Sequence, residues 1–141
     1  MSGEENKALA RRFVDEIVNK GNMAVAAEQV AEDFVELDPF PGQRQGRAGL
    51  IESIARMRTA FPDLHWSIEE LVAEGEKVAS YNTWSGTHQG EFLGIAPTGK
   101  RVRMSCMIFD TYVDGKLKES RLLMNVMSLL QQLGAGPAGG Q

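Results

Sequence analysis

Two carboxylates interrupt an otherwise apolar stretch at residues 34–41, FVELDPFP, where Glu36 and Asp38 stand among Phe34, Val35, Leu37 and Phe40. An acid in apolar surroundings has its pKa raised, because burial penalises the charged form, and a general base can be poised in that way. The same residues also suit a turn, since Asp before Pro, with Gly following, bonds nearby backbone amides. Both readings stay open on the residues alone. Other candidates for proton chemistry are sparse. His65 and His88 have no spacing, with each other or with an acid pair, that suggests a metal site, and no metal is expected. His88, in GTHQGEF, is expected to hold its loop by hydrogen bonding, and His65 to be a surface neighbour of Trp66 on a strand. Asp110 ends a strand-like run, where it could face the mouth of a pocket, and an ordinary turn-proximal acid is the preferred reading. Cys106 is the single cysteine, so neither an intrachain disulfide nor a cysteine zinc site is available. Nothing adjacent would lower its pKa, and it reads as a small buried residue.

The elements that position these groups follow from periodicity. In the 141-residue chain, Ser2 and Glu5 fit a capping box, and Ala8/Leu9, Phe13 and Ile17 recur at helical spacing up to Gly21. Asn22 can cap a shorter second helix carrying Val25, Ala26 and Val30, after which FVELDPFPG is extended. From Gly46, the residues Leu50, Ile54, Met57 and Phe61 repeat at intervals of three or four, and Pro62 closes a third helix. The second half changes period. LHWSIEELVA, VASYNTWSGTH, RVRMSCMIFDTY and LKESRLLMNVM read as long antiparallel strands joined at EGEK, GEFLGIAPTG and VDGK. SLLQQLG reads as a short last helix, residues 1–134 as a single domain, and the tail 135–141 as disordered. Helices grouped before a run of hairpins predict an α+β domain with helices on one face of a curved sheet.

Net charge is −4, with both signs mixed along the chain, so there is no basic stripe for nucleic acid. The first residues, MSGEENKALARR, lack the apolar run of a signal peptide, and no stretch approaches the roughly 18 apolar residues of a membrane span. The expectation is a cytoplasmic protein with neither nucleic acid nor membrane as partner.

NKALARRFVDEIVNKGN, FVELDPFPG, GTHQGEFLGIAPTGKRV, the VDGK turn and the closing LLQQLG resemble the SnoaL-like polyketide cyclases of the nuclear transport factor 2-like superfamily, over about residues 6–134. GTHQGEFLGIAPTG is the most specific part. The resemblance implies a cone-shaped, cystatin-like α+β fold: a curved antiparallel sheet wrapped around N-terminal helices, with a deep apolar pocket at the open end. It also implies that the cyclase acid on the last long strand falls at Leu122, after a retained Arg121, and that an assisting histidine falls at Ile108; neither residue can transfer a proton. Some relatives carry an aspartate near the start of the last helix, where Asn125 stands, which can orient a group or cap SLLQQLG. Ketosteroid isomerase is similar at its own acidic segment, and Asp38 falls where its general base lies. The tyrosine on the first helix that the isomerase uses has no counterpart here.

If Leu122 points inward as its family counterpart does, Ser120 and Met124 do too, with Met104, Cys106 and Ile108 on the neighbouring strand and Asn82 and Trp84 beyond. Such a wall suits an uncharged hydrophobic ligand. The expected function is a cofactor-independent cyclase or isomerase acting on a polyketide-like or terpenoid small molecule, with Asp38 taking or relaying a proton. A noncatalytic hydrophobic-ligand-binding or dimerisation module is the alternative, and an epoxide hydrolase-like enzyme the second alternative. A homodimer formed through the outer sheet face is expected.

Overall fold

The computed structural model describes residues 2–134, so the tail 135–141, expected to be disordered, lies outside the described residues. Helix α1, Gly3–Arg12, starts at the anticipated capping box: Ser2 Oγ accepts from the Glu5 amide at 3.1 Å, and Glu5 Oε1 accepts from the Ser2 amide at 3.0 Å. It runs on as a π-helical segment, Phe13–Asn19, that buries Val14, Ile17 and Val18. Two side chains satisfy the end of this segment. Arg58 donates to the Val18 and Asn19 carbonyls at 2.8 and 2.7 Å, supplying donors that the helix itself lacks there. Asn19 exchanges a pair of hydrogen bonds with the backbone of Trp66, at 2.9 and 2.8 Å, and so docks the segment on the sheet. Helix α2 is Met23–Gln29 and α3 is Gly46–Ala60, which stops just before Pro62 as its sequence predicts.

Strands β1 (Val30–Glu36), β2 (His65–Glu74), β3 (Lys77–Thr87), β4 (Arg101–Val113) and β5 (Lys116–Met124) form one sheet in the order β1-β5-β4-β3-β2, and α4 (Val126–Gln132) closes it. The fold is α+β, as expected, with one correction to its antiparallel sheet. FVELDPFP does not merely extend: it ends a strand that pairs with β5 in parallel, Val35 opposite Glu119 and Glu36 opposite Ser120. The remaining strands are antiparallel. A pairing between segments some eighty residues apart leaves no local turn signature, whereas VDGK does: Asp114 and Gly115 both have positive φ (50° and 80°), the geometry of a two-residue hairpin turn.

The inner face of the sheet packs on the helices. Trp66 and Trp84 stack at 6.2 Å, Phe61 meets Trp84 edge-on at 5.2 Å, and Val102, Met104 and Cys106 join them against Val18, Met57, Leu129 and Leu133. The loop between β3 and β4 is pinned by His88, which is fully buried and whose Nδ1 accepts from the Thr98 amide at 3.2 Å. Gly90 lets that loop lie on the end of α3, since a Cβ there would come within 2.7 Å of the Thr59 carbonyl oxygen. Among the described residues no helix is long and apolar enough to cross a membrane.

A carboxyl pair in an apolar cavity as the candidate active site

Between the inner face of the sheet and the helices lies a cavity of about 110 Å³. Phe13, Val14 and Val18 wall it from the first helical stretch, Leu50, Ile54 and Met57 from α3, and Phe34 and Phe40 from β1 and the loop after it. The sheet contributes Trp66, Ile68, Ser80, Asn82, Ile108, Asp110, Tyr112, Leu117, Ser120 and Leu122. One polar group stands out against this apolar lining. Asp110 on β4 pairs with Ser120 on β5, and Ser120 pairs with Glu36 on β1, so a single rung across three strands carries two carboxyls with a hydroxyl between them.

Glu36 is buried, and burial pushes its carboxyl up to about 7, even though the amides of Asp38 and Leu122 and the Ser120 hydroxyl favour its anion. The Asp38 amide donates to Glu36 Oε2 at 3.0 Å. Gln45 braces the backbone on the other side, its amide bonded to both the N–H and the C=O of Glu36 at 3.1 and 3.2 Å. Asp110 is also pushed up to about 7, first by burial and further by the nearby Glu36 charge, with Ser120 as the group that eases its ionisation. As a residue Asp110 keeps some exposure, but its Oδ1 is fully covered and has no hydrogen-bond partner. Tyr112, two residues along the same face of β4, also lines the cavity with an unpartnered hydroxyl; burial, then the Asp110 charge, hold its pKa well above the ordinary phenol value. Burial raises both acids and the Glu36 charge raises Asp110 further, so an ionised Glu36 favours a proton held on Asp110.

The expected site residues separate. Asn82, Ile108, Ser120 and Leu122 line the cavity. Trp84, Met104 and Cys106 point inward too, but that end of the sheet is filled by Phe61, Leu129 and Leu133, so they are core and not cavity wall; Met124 packs against the same cluster. Burial alone raises the Cys106 thiol to about 12, far from a thiolate nucleophile. Asn125 caps α4, its Oδ1 accepting from the Ser128 amide at 3.0 Å. Asp38 is half-buried on the loop after β1 and is not part of the lining: β1 ends at Glu36, and the chain turns away before Asp38 can continue the inward alternation. Its backbone amide is what serves the site. Asp110, read from sequence as a turn-proximal acid, is instead a wall residue, because β4 runs three residues beyond it. The signal was present in the alternation Met104, Cys106, Ile108, Asp110 and in the pair Phe34, Glu36. His65 is exposed, and His88 belongs to its loop.

Leu122 and Ile108, the positions to which the resemblance assigns an acid and a histidine, pair directly across β5 and β4. Here that rung is apolar, and the carboxyls occupy the next rung on the same face, toward the VDGK turn.

Comparison with known proteins agrees with this architecture. AclR from Streptomyces galilaeus is 31% identical over 96% of this chain and 85% of its own, with a TM-score of 0.83. TsrD from Streptomyces laurentii is 25% identical over 96% of this chain and 98% of its own, with a TM-score of 0.87. IdmH from Streptomyces antibioticus is 25% identical over 92% and 98%, with a TM-score of 0.81. No curated protein sequence matches the chain. The pattern that defines the SnoaL-like polyketide cyclases runs through residues 8–133, from α1 to the end of α4, and with the cone-like fold and inward cavity already in place it follows that this chain belongs to the SnoaL-like polyketide cyclase family.

Proposed function

We propose that the protein is a cofactor-independent cyclase or isomerase that moves a proton at a carbon next to a carbonyl of a hydrophobic, polyketide-like or terpenoid small molecule. The observation that carries this reading is the Glu36, Ser120, Asp110 rung inside an apolar cavity. Glu36 is the base: amides favour its anion, and burial keeps the anion basic enough to accept a carbon-bound proton near neutral pH. Asp110 is the acid. Its unpartnered Oδ1 carries the proton and donates it to the carbonyl oxygen as the C–H bond breaks, so the substrate becomes a neutral enol and the pair has passed one proton across. The enol then attacks an electrophilic carbon within the same molecule, or is reprotonated at another carbon. Tyr112 remains a phenol and provides a second donor. Ile108, Leu122, Phe34 and Met57 hold the ring or chain in a reactive shape, which by itself supplies several kcal/mol in an intramolecular reaction. We also propose that the protein is a homodimer.

Deuterium exchange next to the carbonyl of 2-tetralone in D2O, followed by NMR, tests the chemistry without the natural substrate. The protein should accelerate exchange, Glu36→Gln should lower the rate by roughly 10²- to 10⁴-fold, and Asp38→Asn should leave it unchanged. Exchange that survives Glu36→Gln, or is lost in Asp38→Asn, returns the base to Asp38 or to solvent. The noncatalytic alternative draws support from the apolar Leu122 and Ile108, and it predicts 2-tetralone binding with no acceleration at all.

A further inference from the structure

Away from the acid rung, three polar side chains on the cavity wall are joined in a directed order. Trp66 Nε1 lies 3.2 Å from Asn82 Oδ1, and Asn82 Nδ2 lies 2.9 Å from Ser80 Oγ. An indole N–H can only donate, so the Asn82 atom facing it must be the oxygen. The amide nitrogen therefore faces Ser80 and donates to it, which occupies an acceptor site of the hydroxyl and leaves its proton for a partner elsewhere. Trp66 is anchored for this task by its stacking on Trp84 and by the Asn19 bond to its amide. Trp66 and Asn82 are both buried, while Ser80 keeps some exposure and lines the cavity.

We infer that Trp66, Asn82 and Ser80 form a donor relay that ends on a second acceptor oxygen of the substrate, so that the ligand class is a hydrophobic dicarbonyl-type compound. The inference rests on the cavity being the substrate site proposed above. Its position sets the spacing. Ser80 pairs with Ile108 and Val78 with Asp110, so Ser80 lies diagonally across β3 and β4 from Asp110, about 7–8 Å away. One carbonyl at Asp110 and another a few bonds away at Ser80 fit that separation, and the carbon between or beside them is the acidic one. Each donor in the chain polarises the next, which makes the Ser80 hydroxyl a better donor than an isolated serine. Trp66 and Asn82 are positioning residues, and Ser80 is the residue that touches substrate.

Equilibrium dialysis with a matched pair of probes, 1-indanone and its hydrocarbon analogue indane, reads the relay directly. The protein should bind indanone more tightly than indane by about three- to tenfold, the range of one net hydrogen bond. Ser80→Ala should lower that ratio while leaving indane affinity as it was, which also shows that the cavity is intact. Trp66→Phe keeps an aromatic ring beside Trp84 but frees the Asn82 amide to turn over, and the ratio of the two affinities should fall whatever the change in indane binding itself. Equal binding of the two probes by the unmodified protein overturns the relay, and so does a preference that Ser80→Ala leaves undiminished, a result that would leave the acid-pair chemistry standing. Loss of tetralone exchange chemistry with the indanone preference intact would remove the proposed reaction and keep the relay.

Discussion

Glu36 and Asp110 are stabilised as neutral acids in the folded chain, and this makes stability depend on pH with an unusual sign. Their folded pKa values, about 7, lie above the values near 4.5 and 3.8 expected when unfolded. Below about pH 4 both states are protonated and the pair contributes no difference. Between that point and pH 7 the unfolded chain has released protons that the folded chain keeps, so rising pH favours unfolding, and above pH 7 the full penalty of a buried anion is present. Glu36→Gln should therefore be more stable than the unmodified protein in urea unfolding at pH 8, with the advantage vanishing toward pH 4. An advantage constant across that range would mean that Glu36 is not a buried acid. Leu122 offers a companion test one rung away. Leu122→Asp would place a third carboxyl beside Ser120, where burial and two neighbouring acids raise its pKa, at a cost of about 1–3 kcal/mol at pH 8 that shrinks on acidification. A variant equally stable at both pH values would show that position 122 reaches water.

Single elements hold this site through their ends. Strand β1 supplies Glu36 as its last residue, and the loop after it returns the Asp38 amide to the same carboxylate, so the side chain of FVELDPFP that accepts a nearby backbone amide is Glu36 and not Asp38. Gln45, just before α3, clamps that strand end. Gln45→Ala should weaken 2-tetralone exchange more than it lowers stability, because the lost bonds position the backbone of Glu36; a change in melting temperature with exchange intact would restrict Gln45 to folding. At the other end of the sheet Asn125 is an N-cap. Asn125→Ala should cost about 1 kcal/mol in chemical unfolding and leave indane and indanone binding unchanged, while a binding defect without loss of stability would make it a ligand residue instead.

On the scale of the whole molecule, the outer face of the sheet exposes large apolar side chains: Val72 at 64%, Met107 at 61%, Leu123 at 65% and Phe109 at 46%. Met107 and Leu123 pair across β4 and β5, and Phe109 sits one rung away beside Arg121, so these groups form a patch and not isolated exposures. The proposed homodimer would bury it, and Leu123→Lys should shift sedimentation at micromolar concentration from about twice the 15.5 kDa chain mass to the chain mass itself; a monomer before any substitution removes the dimer. The amino-acid sequence alone determined the hairpin strands, the capping box and the helices, save that Val30, read onto the second helix, begins β1, because periodicity, caps and turn residues are local signals that act within a few residues; the family followed from the motifs that resemble it. It also determined which residues of β4 and β5 share a face, since alternation along a strand is local too, and the resemblance indicated which of those faces turns inward. What only the tertiary structure decided is which inward residues meet. Glu36 and Asp110 come together through a parallel pairing of β1 with β5 that no turn announces, Trp84, Met104 and Cys106 fall in the filled end of the cone, and Asp38 leaves the face where β1 ends, because proximity between distant segments and the division of space between core and cavity are set by the packing of the whole chain.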